Sequence, residues 1–281
     1  MAQGTVGLFD SGVGGLTVAA EVFRMLPEQR VIYFGDTAHV PYGGRSVNEL
    51  VTLADRIISF LCTQGARYII FACNTSSAVS LQVLRDRYQV PMTGLIEPGA
   101  AEAVRVSTAG RIGVIATEAT VRAGAYARAI KEISPDCEVF SKATPQLVPL
   151  VEAGEIDTPR AEGVLRAYLE PLKEIGIDTL ILGCTHYPFL RRPIARILGT
   201  GVRLVDPAAA TVRAAMLNIR RLGLLPGDRS HPKTGANSAG HLFYVSGPVG
   251  PFASVVRRFL GCEPGLVVQV NLDHKPKTTG G

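Results

Sequence analysis

Tyr68-Ile69-Ile70-Phe71-Ala72-Cys73-Asn74-Thr75 and Leu180-Ile181-Leu182-Gly183-Cys184-Thr185-His186 decide how this chain folds. Each is a short apolar run, then a thiol, then side chains that hydrogen-bond. A short apolar run bounded by turn residues reads as a buried parallel strand. In α/β proteins ligands bind at the carboxyl ends of such strands. Two strand ends, each offering a thiol, place a cysteine on either side of a substrate.

The pattern extends along the chain. Strands are predicted over Thr5–Asp10, Val31–Gly35, Tyr68–Ala72, Met92–Leu95, Ile112–Ala116, Glu138–Lys142, Leu180–Leu182, Arg203–Val205 and His241–Val245. Helix-period segments lie between most of them, such as Leu16–Leu26, Val47–Gln64, Ser77–Arg87 and Arg160–Lys173. This alternation predicts an α/β fold of parallel sheets covered on both faces.

An internal echo is visible. Val6-Gly7-Leu8-Phe9-Asp10-Ser11 aligns with Ile112-Gly113-Val114-Ile115-Ala116-Thr117, and Cys73 aligns with Cys184. Ser11 precedes its cysteine by 62 residues and Thr117 precedes its own by 67. Two related α/β halves would produce this, although any two strand–helix units share some likeness. The division expected is residues 1–98 plus 207–270 for the first domain and 99–206 for the second. The second half would open after a turn at Glu97-Pro98-Gly99, with a helix over Ala100–Thr108. Pro226–Gly240, rich in Gly, Pro and Ser, reads as a surface loop. Residues 271–281 read as a flexible tail.

Of 281 residues, 47% are hydrophobic and 19% charged, the balance of a globular protein with one large domain or two smaller ones. The net charge of +5 is scattered, with its densest knots at Arg191-Arg192, Arg220-Arg221 and Arg257-Arg258. That argues against a nucleic-acid partner and leaves room for a small anionic substrate. Five cysteines without a Cys-x-x-Cys pair argue against a disulfide framework and a structural zinc site, and fit a reducing cytoplasm. No signal peptide is read at the N-terminus, and no apolar run reaches the roughly 20 residues that span a bilayer.

Asp10-Ser11-Gly12-Val13-Gly14-Gly15 follows the first strand and opens a helix, where free N–H groups attract anions. A dinucleotide site would use the same architecture, with Asp36 at the second strand end as ribose ligand. Thr17 replaces the third glycine of that fingerprint, and Asp10 would repel a pyrophosphate. Asp10 reads both as a helix cap and as a site residue. Pro41-Tyr42-Gly43-Gly44 reads as a turn over the strand ends that gives N–H groups and a Tyr to a ligand. A helix beginning after Cys73 should lower its thiol pKa and favour thiolate. Cys62, Cys137 and Cys262 read as small buried hydrophobes. Cys184-Thr185-His186-Tyr187-Pro188 joins a thiol, a hydroxyl and an imidazole, the side chain best suited to exchange a proton with a thiol near neutral pH. A Cys/His hydrolase is the rival reading, but it leaves Cys73 and Asp10 without a role. Glu152 reads equally as a support for His186 and as a solvated helix-end acid.

Together, Asp10-Ser11-Gly12, Pro41-Tyr42-Gly43, Cys73-Asn74-Thr75 and Gly183-Cys184-Thr185-His186-Tyr187-Pro188 resemble the signature blocks of bacterial glutamate racemases, of the cofactor-independent aspartate/glutamate racemase superfamily. The likeness runs from about Gly4 to Leu260, with Ala116-Thr117 where Gly-Thr is often found. It implies two doubly wound domains about a pseudo-two-fold axis, with the active site in the cleft between them. It implies interconversion of L- and D-glutamate without cofactor or metal, for peptidoglycan synthesis in a bacterial cytoplasm, by a homodimer without nucleic-acid or membrane partners. Cys73 would take the α-proton from D-glutamate and Cys184 from L-glutamate, assisted by Asp10 and His186 respectively. Ser11, Pro41, Tyr42, Gly43, Asn74, Thr75, Thr117 and Thr185 would hold the substrate, together with Asp10 and His186. Two alternatives stay open: another racemase of the superfamily, such as an aspartate racemase, and a non-enzymatic small-ligand-binding protein.

Overall fold

The computed structural model describes residues 4–225, 240–261, 263 and 266–273. Ten strands run in chain order: β1 (Thr5–Asp10), β2 (Val31–Gly35), β3 (Ala66–Phe71), β4 (Met92–Thr93), β5 (Arg111–Ala116), β6 (Glu138–Ala143), β7 (Thr179–Gly183), β8 (Arg203–Val205), β9 (Leu242–Val245) and β10 (Leu266–Gln269). They form a six-stranded sheet, β10-β9-β2-β1-β3-β4, and a four-stranded sheet, β6-β5-β7-β8. Every pairing is parallel.

The echo read in the sequence has a structural counterpart. The order β2-β1-β3-β4 recurs as β6-β5-β7-β8, so β1 corresponds to β5 and β3 to β7. In each sheet the order reverses beside the first strand of the series, between β1 and β3 and between β5 and β7. That reversal opens a crevice at the carboxyl strand ends. Ser11 and Cys73 flank one crevice; Thr117 and Cys184 flank the other. After β8 the chain returns through the helix Pro207–Arg221 and adds β9 beside β2.

The central strands are apolar on both faces because helices cover both. β1, β2 and β7 are buried at every residue. Val6 and Leu8 pack with the helix face Leu16, Val18, Ala19 and Val22, whereas Phe9 packs opposite with Ile57, Ile58 and Leu61. Each such Leu, Ile or Val contributes about 1.5–3 kcal/mol by leaving water. Local signals set the helix ends. Ser46 and Glu49 form a reciprocal capping box on Val47–Thr63. Thr158 caps the helix Pro159–Ile175, which ends on left-handed Gly176.

Four expectations are corrected. Glu97-Pro98-Gly99 is not a turn but the first turn of the helix Ile96–Val106; a proline fits there because the early N–H groups have no intrahelical partner. A helix does begin just after Cys73, at Asn74, but the stretch read as one helix over Ser77–Arg87 breaks at Ser80, giving Asn74–Val79 and Leu81–Arg85. β10 was not anticipated, because it is a four-residue edge strand with both ends exposed. Asn271–Asp273 are not free tail: Leu272 packs on an apolar cluster, and Asp273 pairs with Arg56 at 3.0 Å. The expected loop lies outside the described residues except for Gly240, as do Cys262 and the tail beyond Asp273.

Candidate active site

A cavity of about 230 Å³ lies where the carboxyl ends of the two sheets meet. That is smaller than the roughly 300–1,000 Å³ of drug-sized ligand sites, as suits a small substrate. Both thiols reach its wall, Cys73 from the end of β3 and Cys184 from the end of β7. Ser11, Pro41, Tyr42, Gly43, Asn74 and Thr75 line it from the first sheet. Thr117, Thr185 and His186 line it from the second. Asp10 alone among the expected residues is not on the wall; it lies beneath, fully buried.

The Asp10 carboxylate organises the Gly-rich turn. Its Oδ2 accepts N–H bonds from Gly15 at 2.8 Å and Gly12 at 3.2 Å, so the cap and site readings coexist. Its Oδ1 accepts from the Ser11 hydroxyl at 3.4 Å, and the Cys73 thiol donates to Ser11 Oγ at 3.8 Å. Ser11 therefore stands between the carboxylate and the first thiol. The turn presses closely on the other half. A Cβ at Gly14 would meet Thr185 Oγ1 at 2.5 Å and His186 Nδ1 at 2.9 Å, so a side chain has no room there.

The second thiol has different company. Cys184 Sγ is 3.7 Å from His186 Nδ1, and His186 Nε2 is 2.6 Å from Glu152 Oε1. Glu152 ends the helix Leu147–Glu152, and its contact with His186 decides between the two readings of that residue in favour of support.

Polar contacts join the two halves around the cavity. Thr75 and Thr117 share a hydroxyl hydrogen bond at 2.9 Å. The Ala119 N–H donates to the Gly43 carbonyl at 3.0 Å. Tyr126 donates to Asn74 Oδ1 at 2.6 Å, which leaves the Asn74 NH2 without that partner. The Tyr42 hydroxyl donates to Asp36, so Tyr42 offers its ring rather than its hydroxyl to the cavity. Asp36, read as a ribose ligand only under the rejected dinucleotide site, anchors the Pro41 turn: it also bonds His39 and Ser246.

Electrostatics distinguish the thiols further. Burial pushes the Cys73 thiol up to about 12, and the Asp10 charge adds to the rise. The N–H and hydroxyl of Ser76 pull against it without prevailing. The expectation that a helix start would depress this thiol is thereby reversed: full burial beside a carboxylate outweighs a two-turn helix. Burial also raises the Asp10 carboxyl, against the pull of His186 and the Gly15 and Gly12 N–H groups. At His186 burial disfavours the imidazolium, but the hydrogen bonds to Cys184 and Glu152 outweigh it and push His186 up to about 10. Glu152 is held below its ordinary value by its hydrogen bond to His186.

Sequence reasoning missed the cavity wall formed by Thr144, Pro145, Val148 and Pro149. A signal for it existed. These residues follow β6 as the Pro41 turn follows β2, so the echo carried one strand further would have found them. Cys137 is buried as expected, while Cys62 is half-buried against a core cluster.

The model of the Asp/Glu/Hydantoin racemase family matches residues 17–215, and the chain belongs to that family. Within it the chain stands with the glutamate racemases, isomerases acting on amino acids. It is 65% identical over 272 residues to glutamate racemase of Desulforudis audaxviator, covering 97% of this chain and 99% of that one. The crystal structure of glutamate racemase isoform RacE1 from Bacillus anthracis superposes with a TM-score of 0.89 at 37% identity, covering 97% of this chain and 99% of that one. Glutamate racemase from Francisella tularensis in complex with D-glutamate gives a TM-score of 0.87 at 33% identity, covering 96% and 98%.

Proposed function

We propose that this protein interconverts L- and D-glutamate with Cys73 and Cys184 as the two proton carriers. The observation that carries the reading is one small cavity walled by both thiols, each backed by its own acid–base partner. Racemisation removes a proton from one face of Cα and delivers one to the other. Two opposed groups do this without moving a proton around the substrate. One begins as thiolate and the other as thiol, and the roles exchange with each turnover. Cys73 serves D-glutamate and Cys184 serves L-glutamate, as the family resemblance implies.

Asp10 acts on Cys73 through the Ser11 hydroxyl, and Glu152 holds the His186 ring toward Cys184. The α-proton beside a carboxylate is weakly acidic, so the site must stabilise developing negative charge with fixed donors. The Ser11, Thr75, Thr117 and Thr185 hydroxyls, the Asn74 amide and the turn at Tyr42-Gly43 supply them. A buried site strengthens each such contact. No helix among the described residues is long and apolar enough to cross a membrane.

The reading extends to organisation and role. The domains are residues 1–98 plus 207–270 and residues 99–206, with the cavity between them. The protein works as a homodimer in the cytoplasm of a bacterium and supplies D-glutamate for peptidoglycan. The test is incubation with L-glutamate, D-glutamate and L-aspartate without added cofactor, followed by optical rotation. Loss of rotation with both glutamate enantiomers, absent in Cys73→Ala and Cys184→Ala, is expected. Racemisation of aspartate alone would reassign the substrate, and turnover by either variant would reject the two-thiol reading.

A further inference from the structure

A substrate carboxylate needs donors, and one donor on the cavity wall has two faces of opposite character. Asn74 carries an acceptor oxygen and a donor NH2 on one flat amide of nearly even shape. With its NH2 toward the cavity it receives a carboxylate; with Oδ1 toward the cavity it repels one. Packing hardly separates the two orientations, so a hydrogen bond must choose between them. Asn74 is buried and lines the cavity from the first sheet. Tyr126, on the helix Ala125–Ile133 packed on the second sheet, reaches across and donates its hydroxyl to Asn74 Oδ1 at 2.6 Å. Burial pushes the Tyr126 hydroxyl well above its ordinary 10, and the Asp206 charge adds to the rise, so the hydroxyl keeps the proton it donates. The ring is held along both edges. A Cβ at Gly99 would stand 3.3 Å from Tyr126 Cε1, and one at Gly183 would stand 3.2 Å from Cε2. Two absent side chains thus make the slot in which the ring lies, and the slot aims the hydroxyl. Tyr126 is 2% exposed and is not on the cavity wall, so it acts on the site only through Asn74.

We infer that Tyr126 is a positioning residue for substrate binding, which fixes the Asn74 amide with its NH2 toward the cavity and so presets a donor for a substrate carboxylate. A donor already aimed loses no freedom when the ligand arrives. Without the hydroxyl the amide is free to turn, and the orientation that offers Oδ1 to a carboxylate competes with the binding one. The loss falls on ground state and transition state alike, because the carboxylate stays charged throughout. The inference rests on the proposal that Asn74 holds the substrate.

The test is a double-mutant cycle of wild type, Tyr126→Phe, Asn74→Ala and the double variant, read as KM and kcat from each glutamate enantiomer. Phenylalanine keeps the ring in its slot and removes only the hydroxyl. Tyr126→Phe should raise KM about tenfold for both enantiomers, the size of one hydrogen bond to a charge, and change kcat by about twofold at most. Asn74→Ala should raise KM by about tenfold or more. In the Asn74→Ala background, Tyr126→Phe should change KM by about twofold at most, because no amide is left to turn. A tyrosine that served packing alone would weaken binding by the same factor in both backgrounds, and that result would overturn the inference. So would an unchanged KM in Tyr126→Phe beside an impaired Asn74→Ala. An unchanged KM in Asn74→Ala would overturn the reading beneath it, that Asn74 holds the substrate.

Discussion

The first thiol is backed by a carboxyl group and the second by an imidazole. Cys73 meets Ser11 and, behind it, the buried Asp10 carboxylate; Cys184 meets His186 and, behind it, Glu152. The strand frames are equivalent, β1 and β3 against β5 and β7, so topology does not create this difference. It comes from the residues grafted on the frames. The position after β1 carries Asp10-Ser11 and its counterpart after β5 carries Ala116-Thr117. On the two-thiol proposal, mirror-related substrates need matching positions for two bases, and equal positions do not require equal tuning.

The sharpest way to break the comparison is to remove either thiol. Cys73→Ala and Cys184→Ala should each lower glutamate turnover by about 10²–10⁴-fold or more, measured by circular dichroism of the amino acid. Retained turnover in one variant would make the two thiols unequal in kind rather than in tuning.

The partners come next. L- and D-glutamate have equal free energy, so kcat/KM must stay equal in both directions for any variant. Unequal roles must therefore appear in kcat and KM taken separately. His186→Asn and Asp10→Asn should each lower kcat by about 10–100-fold, with the larger loss in opposite directions. The check is initial-rate kinetics from each enantiomer; the same pattern in both variants would merge the two roles.

Gly14→Ala should reduce both stability and activity, because the added methyl meets Thr185 and His186 at under 3 Å. Overpacking of this kind costs about 1–3 kcal/mol, readable in a urea melt. An unperturbed variant would show that the turn can yield.

Folding should also depend on pH. His186 is raised from 6.5 to about 10, so its stabilisation is full below pH 6.5 and is lost as pH rises through about 10. Glu152 is lowered, so its stabilisation is full above its ordinary 4.5 and is lost as pH falls further. The pair therefore supports the fold fully between about pH 4.5 and 6.5. Glu152→Gln should flatten the alkaline side of that curve in urea melts at stepped pH. An unchanged alkaline limb would free His186 from Glu152.

Most of the frame was legible because buried parallel strands carry an uninterrupted apolar signal. β1, β2 and β8 fall where the pattern placed them, and both thiols sit at the strand ends that their neighbours announced. β10 was not legible, since an edge strand with exposed ends has no such run. The helix at Ile96 was misjudged because Pro98-Gly99 looks like a turn out of context, whereas Ile96, Gly99, Ala100 and Ala103 bury one helical face. In the site, residue types and local order were readable. The state of Cys73 was not, because the sign of its shift is set first by how deeply the thiol itself is buried, with Asp10 adding to the rise, and depth is a property of the fold.

One measurement tests the two-thiol account most directly. Racemisation of L-glutamate is run in D2O and stopped at low conversion, and deuterium at Cα is located in each separated enantiomer. Two opposed thiols, one loaded from solvent and one receiving the substrate proton, predict D-glutamate carrying deuterium and residual L-glutamate carrying none. Deuterium in the residual L-glutamate, or protium retained in the product, would contradict the account.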